Sequence, residues 1–85
     1  MTPALKTLIE KLRVREYSVS FAESCTGGLL SAKMAAVPGV SDIYMGSVVT
    51  YSNAVKTEML GVSENVLKSE GAVSASVARQ MAQGV

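Results

Sequence analysis

Residues 22–28 read Ala-Glu-Ser-Cys-Thr-Gly-Gly, and they lie where a strand pattern gives way to a helical pattern. Residues 17–22 alternate polar and apolar side chains, which is typical of a strand. The small-residue stretch from Leu29 to Val37 predicts a helix that stops at Pro38-Gly39. A strand that passes through a glycine turn into a helix, with a second strand further along, predicts an α/β layer structure.

The rest of the chain predicts further helices around two strands. Residues 1–16 place apolar side chains at helical spacing, with Thr2 as the N-cap and Pro3 in the first turn. The second strand is predicted over residues 44–51. Three short helices follow it, and their predicted N-caps are Asn53, Ser63 and Ser74. The predicted order of elements is therefore α-β-α-β-α-α-α.

The composition excludes several classes of protein. The 85 residues carry eight Lys and Arg against seven Asp and Glu, a net charge of +1, and 48% are hydrophobic. This balance is too neutral for a nucleic-acid-binding arm or a polybasic membrane anchor, and the hydrophobic fraction is too high for a disordered tail. No apolar run approaches the length of a membrane span, and no signal-peptide pattern opens the sequence. We expect one small cytoplasmic domain that binds neither nucleic acid nor membrane.

The cysteine and histidine counts narrow the possible chemistry. A single Cys cannot form an internal disulfide, which fits a reducing compartment. The absence of His excludes a Ser-His-Asp triad, a Cys-His pair and a Cys/His zinc site within this chain. Acid–base chemistry would have to use Lys, Tyr, Asp or Glu side chains.

The turn at residues 24–28 is the first candidate site. Ligands of open α/β folds bind at the carboxyl ends of strands, and the glycines allow the backbone to approach a ligand closely. N–H groups around Thr26, Gly27 and Gly28 suit a phosphate or a developing oxyanion, and the sequence leaves the choice open. In the alternative interpretation, Ser24 or Thr26 only caps the helix and the glycines only turn the chain. The segment matches neither the phosphate-loop nor the dinucleotide-binding pattern.

The second candidate site lies at residues 50–56. With Asn53 as the N-cap, Lys56 occupies the third helical position, where the helix dipole disfavours a cation. This position, and burial if present, favours the neutral amine that a general base requires. Tyr51 could hydrogen-bond the amine and relay a proton. The alternative is a solvated Lys on a surface helix and a Tyr at the rim of the core.

The two candidate sites converge if their strands are neighbours. A Ser hydroxyl activated by a Lys amine is a histidine-free way to make a nucleophile, which makes Ser24 the first candidate. Cys25 is an alternative nucleophile, although a lone Cys beside a helix start is more typical of packing. Glu23 either orients the site or repels an anionic substrate, and its role stays open.

Three segments occur in order along the chain: Ala22 to Gly28, then Val49 to Lys56 with the sequence Val-Thr-Tyr-Ser-Asn-Ala-Val-Lys, and Gly71-Ala72-Val73-Ser74. Together they resemble the CinA C-terminal domain family, that of competence/damage-inducible protein A. The resemblance covers the chain from about Leu5 to Val85. Free-standing members of this family are nicotinamide-nucleotide amidases.

The resemblance implies an activity and assigns residues to it. The reaction is hydrolysis of nicotinamide mononucleotide to nicotinate mononucleotide and ammonia, in pyridine-nucleotide salvage. Ser24 matches the nucleophile, and Tyr51 and Lys56 match its activating partners. The expected substrate-binding residues are Thr26, Gly27, Gly28 and Asn53. The chemistry requires no metal and no cofactor, and the expected partner is the small nucleotide substrate.

The resemblance also implies an architecture. The family domain is a three-layer α/β/α sandwich around a mixed sheet, and residues 1–85 match its N-terminal half as a single, shortened domain. Because a partial sheet leaves an edge and an apolar face exposed, we expect the chain to self-associate into a homo-oligomer. Two alternatives remain open: a non-catalytic module that binds a nucleotide or phosphate, and a structural fragment without a ligand.

Overall fold

The computed structural model describes residues 1–85 and contains five α-helices, one short 3₁₀ turn and two strands. In chain order the elements are α1 Pro3–Val14, β1 Val19–Glu23, α2 Leu29–Ala35, the 3₁₀ turn Val40–Asp42, β2 Tyr44–Val49, α3 Asn53–Leu60, α4 Glu64–Glu70 and α5 Ala75–Gly84. The predicted order of helices and strands is confirmed. The 3₁₀ turn was not predicted. No helix combines the length and the apolar composition that crossing a membrane requires.

Side-chain caps fix where most of the helices begin. The side chains of Thr2, Ser63 and Ser74 accept hydrogen bonds from backbone N–H groups of the first turns of α1, α4 and α5. These three predicted caps are confirmed. The predicted cap Asn53 is wrong, because the Ser52 hydroxyl accepts from the Val55 N–H at 3.2 Å and caps α3. Lys56 is therefore the fourth residue of α3 rather than the third.

The two strands form a parallel pair, and α2 lies in the connection between them. Phe21 pairs with Ser47 and Glu23 pairs with Val49, so both strands end at the same edge. The sheet in this chain is thus purely parallel. In a parallel pair, the residues that follow the carboxyl ends of the two strands lie at the same edge of the sheet. Both candidate sites lie at this edge.

The core consists of two clusters. Ile9, Met34, Val40 and Ile43 form one cluster, against which Val19 and Phe21 pack. The other cluster packs against Ala22 and Val48, and its members are Leu60, Val62, Leu67, Val77 and Met81. Successive side chains of a strand point to opposite faces of the sheet. The cluster that packs against Phe21 and the cluster that packs against Ala22 therefore lie on opposite faces. The helices thus cover both faces and hold the two strands in place.

The second edge of β1 has no neighbouring strand. The Val19 N–H and the Glu23 carbonyl bond toward β2, so the alternating backbone groups of Ser20 and Ala22 point toward the open edge. An open groove of about 420 Å³ lies between this edge and α5. Most of the side chains that line it are hydrophobic, and none is charged.

Candidate functional site at the carboxyl edge of the sheet

The two predicted sites meet at the carboxyl edge of the strands. Glu23 and Val49 are the last residues of their strands and are paired in register. The Thr50 N–H donates to the Glu23 carbonyl at 2.9 Å, which extends the ladder by one bond. Ser24 and Tyr51 each follow directly on this bonded pair. The strands are neighbours, as the expected convergence requires, and the convergence of the side chains stays a prediction.

Glu23, whose role the sequence leaves open, has a buried carboxylate surrounded by hydrogen-bond donors. Its side chain is 5% exposed. It accepts from the Thr26 hydroxyl at 2.6 Å, the Leu30 N–H at 3.0 Å and the Ser31 N–H at 2.9 Å. The Ser31 hydroxyl also donates to it. Gly28 at the N-cap of α2 has no side chain to cap the helix, so Glu23 performs that function from the preceding strand.

The donors around Glu23 stabilise its ionised form. The hydroxyls of Ser31 and Thr26, and then the N–H groups of Ser31 and Leu30, lower the pKa of the Glu23 carboxyl to about 2. Burial acts in the opposite direction and is outweighed. The carboxylate is therefore a fixed negative charge at the start of α2, where the helix dipole favours an anion.

A chain of hydroxyl groups continues from Glu23 across the sheet. Ser31 lies 2.7 Å from the Ser47 hydroxyl, and Ser47 in turn bonds the Tyr44 hydroxyl. Since Ser31 has one hydroxyl proton and the carboxylate can only accept, Ser47 donates to Ser31 and Tyr44 donates to Ser47. The sequence analysis missed Ser31, Ser47 and Tyr44, because their contacts depend on the register of α2 over the strands.

The turn itself leaves several backbone donors free. The Gly27 N–H bonds the Ser24 carbonyl at 3.0 Å and closes the turn. Gly27 and Gly28 have φ angles of 65° and 112°, and the second lies outside the left-handed helical range that other residues tolerate. The N–H groups of Cys25, Thr26, Gly28 and Leu29 donate no hydrogen bond within the chain. These are the groups that can face an oxyanion.

Ser24 and Cys25 lie beside each other on the rim of the groove along β1. Ser24 is half-buried, whereas Cys25 is exposed. The interpretation of Cys25 as a packing residue is therefore wrong. Thr26 is exposed apart from the hydroxyl that bonds Glu23.

Lys56 reaches back toward the end of β2 from inside α3. It is 1% exposed, and its Nζ donates to the Tyr51 carbonyl at 2.7 Å. The chain's one salt bridge joins Arg13 to Asp42, so Lys56 has no acidic partner. The expected bond between the amine and the phenol of Tyr51 is not formed, because the Tyr51 side chain is 72% exposed. Asn53, the first residue of α3, is also exposed.

Thr50 is a further residue of this edge that sequence reasoning did not single out. It is fully buried, its N–H bonds the Glu23 carbonyl, and its hydroxyl has no hydrogen-bond partner. No three His, Cys, Asp or Glu side chains cluster in a way that could hold a metal ion.

These features define a small α/β domain whose parallel strands bring a serine, a glycine turn and a segment with a buried lysine to one edge. The chain belongs to the CinA family, because the model of the CinA C-terminal domain matches residues 1–85. The resemblance seen in the sequence is thus confirmed. A CinA-like protein of Fervidobacterium nodosum is 53% identical over 75 residues, which cover 88% of this chain and 18% of that protein.

Solved structures support the same family. Competence/damage inducible protein CihA of Agrobacterium tumefaciens superposes with a TM-score of 0.87 at 40% identity, covering 94% of this chain and 48% of that chain. A CinA superfamily protein of Escherichia coli gives a TM-score of 0.90 at 34% identity, covering 94% of this chain and 46% of that chain. The chain therefore spans about half of the solved chains that it matches.

Proposed function

We propose that this chain carries the nucleophile and general base of a nicotinamide-nucleotide amidase. The substrate is nicotinamide mononucleotide, and the products are nicotinate mononucleotide and ammonia. Family membership supports an amidase. The observation that carries the proposal for this chain is the Lys56 amine, which is buried without an acidic partner at the edge where Ser24 follows β1.

Burial of a lysine without an ion pair needs a reason. Removing a charged amine from water is expensive unless it is paired, and buried lysines are accordingly rare. The single bond from Nζ to the Tyr51 carbonyl leaves the amine's other bonding positions free. A Lys amine can accept the proton of a Ser hydroxyl, and this is the role proposed for Lys56.

The mechanism is acyl transfer through a serine ester. The Ser24 Oγ attacks the amide carbon while Lys56, as the free amine, accepts the hydroxyl proton. The tetrahedral intermediate collapses by breaking the C–N bond, and Lys56 returns the proton to the leaving nitrogen, which departs as ammonia. Water then attacks the ester, Lys56 accepts its proton, and the acid leaves Ser24 with that proton restored to Oγ. Tyr51 is the proposed relay between Ser24 and Lys56, which requires its exposed ring to turn inward.

The free N–H groups of the turn are the proposed oxyanion donors. Those of Thr26 and Gly28 lie two and four residues after Ser24 and have no partner in the chain. Gly27 contributes the turn rather than a donor, because its N–H bonds the Ser24 carbonyl. We assign Thr26, Gly28 and Asn53 to the substrate. The alternative of a phosphate-binding module receives less support, because the Glu23 carboxylate already occupies the Leu30 and Ser31 N–H groups.

The test is ammonia release from nicotinamide mononucleotide by the chain and by its Ser24→Ala variant. Ser18→Ala is the matched control, since Ser18 is exposed and precedes the other end of β1. Circular dichroism checks that all three proteins are folded. The proposal requires release that is lost in Ser24→Ala and retained in Ser18→Ala. Equal release by the chain and Ser24→Ala, or none from the folded chain, contradicts it.

The finer architecture belongs to the same proposal. A three-layer α/β/α sandwich around a mixed sheet requires more strands than β1 and β2, and both outer edges of the sheet are open; the edge of β1 borders the apolar groove. In this chain we propose that a second copy covers that edge. The groove along β1 is apolar and uncharged, so two copies related by a twofold axis meet without charge repulsion. An antiparallel pair of β1 strands would then make the sheet mixed. A monomeric mass by light scattering at micromolar concentration would contradict this association.

A further inference from the structure

We propose that Glu23 is a positioning residue for Ser24, which it holds by tying both sides of the turn to the first turn of α2. This inference rests on the proposed amidase function in assigning chemistry to Ser24. In this proposal Glu23 does not contact the substrate, because its carboxylate is buried and accepts hydrogen bonds from donors within the chain.

Glu23 anchors the turn from both ends. Its backbone carbonyl accepts the Thr50 N–H at 2.9 Å and fixes the residue to β2. Its side chain accepts the Thr26 hydroxyl at 2.6 Å, three residues further along the chain. Ser24 lies between these two points and is tied once more by the bond from the Gly27 N–H to its carbonyl. The backbone around the nucleophile therefore has little freedom.

The same carboxylate connects the turn to α2. The N–H groups of Leu30 and Ser31 donate to its two oxygens, Oε1 and Oε2, at 3.0 and 2.9 Å. All the groups that bond the Glu23 carboxylate are hydrogen-bond donors, so the side chain at position 23 must offer two acceptor oxygens. Gln has one acceptor oxygen and an NH₂ group, which would face an N–H or a hydroxyl donor. Glu23→Gln thus changes few atoms and breaks the pattern.

The carboxylate keeps its negative charge one residue before the proposed nucleophile, and donors from Thr26, Leu30 and Ser31 bind that charge in place. These hydrogen bonds lower the pKa of the Glu23 carboxyl to about 2. Glu23 thus holds the backbone next to the proposed nucleophile, where displacing the reacting group by about 1 Å can lower the rate by about 10²-fold.

The experiment measures kcat and KM for ammonia release in Glu23→Gln, with Glu10→Gln as the matched control. Glu10 is exposed on α1 and forms no hydrogen bond through its side chain. We expect Glu23→Gln to lower kcat by about 10²-fold with a smaller change in KM, because the reacting group is displaced. Glu10→Gln should match the wild type. A folded Glu23→Gln protein with wild-type kcat overturns the proposal.

Amide hydrogen exchange gives a readout that does not depend on activity. In Glu23→Gln we expect faster exchange at Gly27, Leu30 and Ser31, and unchanged exchange in α5. Unchanged protection at those three amides overturns the anchoring claim even if the wild type releases no ammonia. A wild type without Ser24-dependent release contradicts the amidase proposal instead. If Glu23→Gln does not fold, Ser31→Ala removes one donor, and a kcat equal to wild type in that variant overturns the positioning claim.

Discussion

Replacing Thr50 by Val is expected to stabilise the protein. Thr50 is completely buried, and its hydroxyl is one of two buried side-chain oxygens without a partner in the chain. The other belongs to Thr57. Val has nearly the shape of Thr and exchanges the hydroxyl for a methyl group, so the surrounding packing is retained. The substitution also suits the backbone, since Thr50 continues directly from β2 and Val favours extended conformations.

The size of the effect follows from the unpaired hydroxyl. Burying such a group without a hydrogen bond costs about 1–3 kcal/mol in protein mutational data. Thr50→Val should therefore raise the free energy of unfolding by about 1–2 kcal/mol, if the substitution recovers only part of the cost of the unpaired hydroxyl. In a domain of this size each kcal/mol moves Tm by about 4–8 °C. The expected increase in Tm is about 5–15 °C.

Thermal and urea unfolding followed by circular dichroism test this expectation, with Thr50→Ser as the matched control. Ser keeps the hydroxyl and loses a buried methyl group, so it should lower the free energy of unfolding by about 1 kcal/mol. A Thr50→Val protein that unfolds at a lower temperature than the wild type would refute the reasoning. It would mean that the hydroxyl has a hydrogen-bond partner in solution.

Three further predictions concern the candidate site. Lys56→Met should abolish ammonia release and leave the fold intact by circular dichroism, because Lys56 makes one hydrogen bond and no ion pair; loss of the fold would contradict it. Gly28→Ala should lower the free energy of unfolding by about 1–3 kcal/mol in urea titrations, more than Gly27→Ala, since φ is 112° at Gly28 and 65° at Gly27. Folding lowers the pKa of the Glu23 carboxyl from its usual value of 4.5 to about 2. Its contribution to the free energy of unfolding is therefore present above about pH 4.5 and is lost as the pH falls toward 2. Tm measured against pH should fall more steeply there in the wild type than in Glu23→Gln, and parallel curves would contradict this assignment.

Local signals in the sequence were sufficient for most of the fold. Thr2, Ser63 and Ser74 each cap a helix through an N–H three residues away, so the information lies within one turn of the chain. The same signal failed at α3, where Ser52 and Asn53 are adjacent and both are good caps. Choosing between them depends on where β2 ends, which its ladder with β1 determines.

The candidate site was predictable in its location and less so in its contacts. Ser24 and Lys56 could be singled out because parallel strands collect their following residues at one edge. The hydrogen bond from Lys56 to the Tyr51 carbonyl could not be predicted, because every residue has a main-chain carbonyl and the sequence does not indicate which one is the acceptor. Glu23 had a weak signal: Gly28 at a helix start provides no side-chain cap, so another acceptor was needed. Its partners lie seven and eight residues away, beyond any local pattern.

The position of Glu23 also separates the two ligands that the sequence left open for the turn. An oxyanion carries one charge, which can be shared among the free N–H groups of Thr26 and Gly28. A phosphate carries more charge, and here it would meet a buried carboxylate instead of an open helix start. The turn is therefore expected to serve the oxyanion, with the substrate phosphate held elsewhere. Millimolar inorganic phosphate should leave the amide resonances of Thr26 and Gly28 unshifted, whereas a saturable shift at both would reverse the assignment.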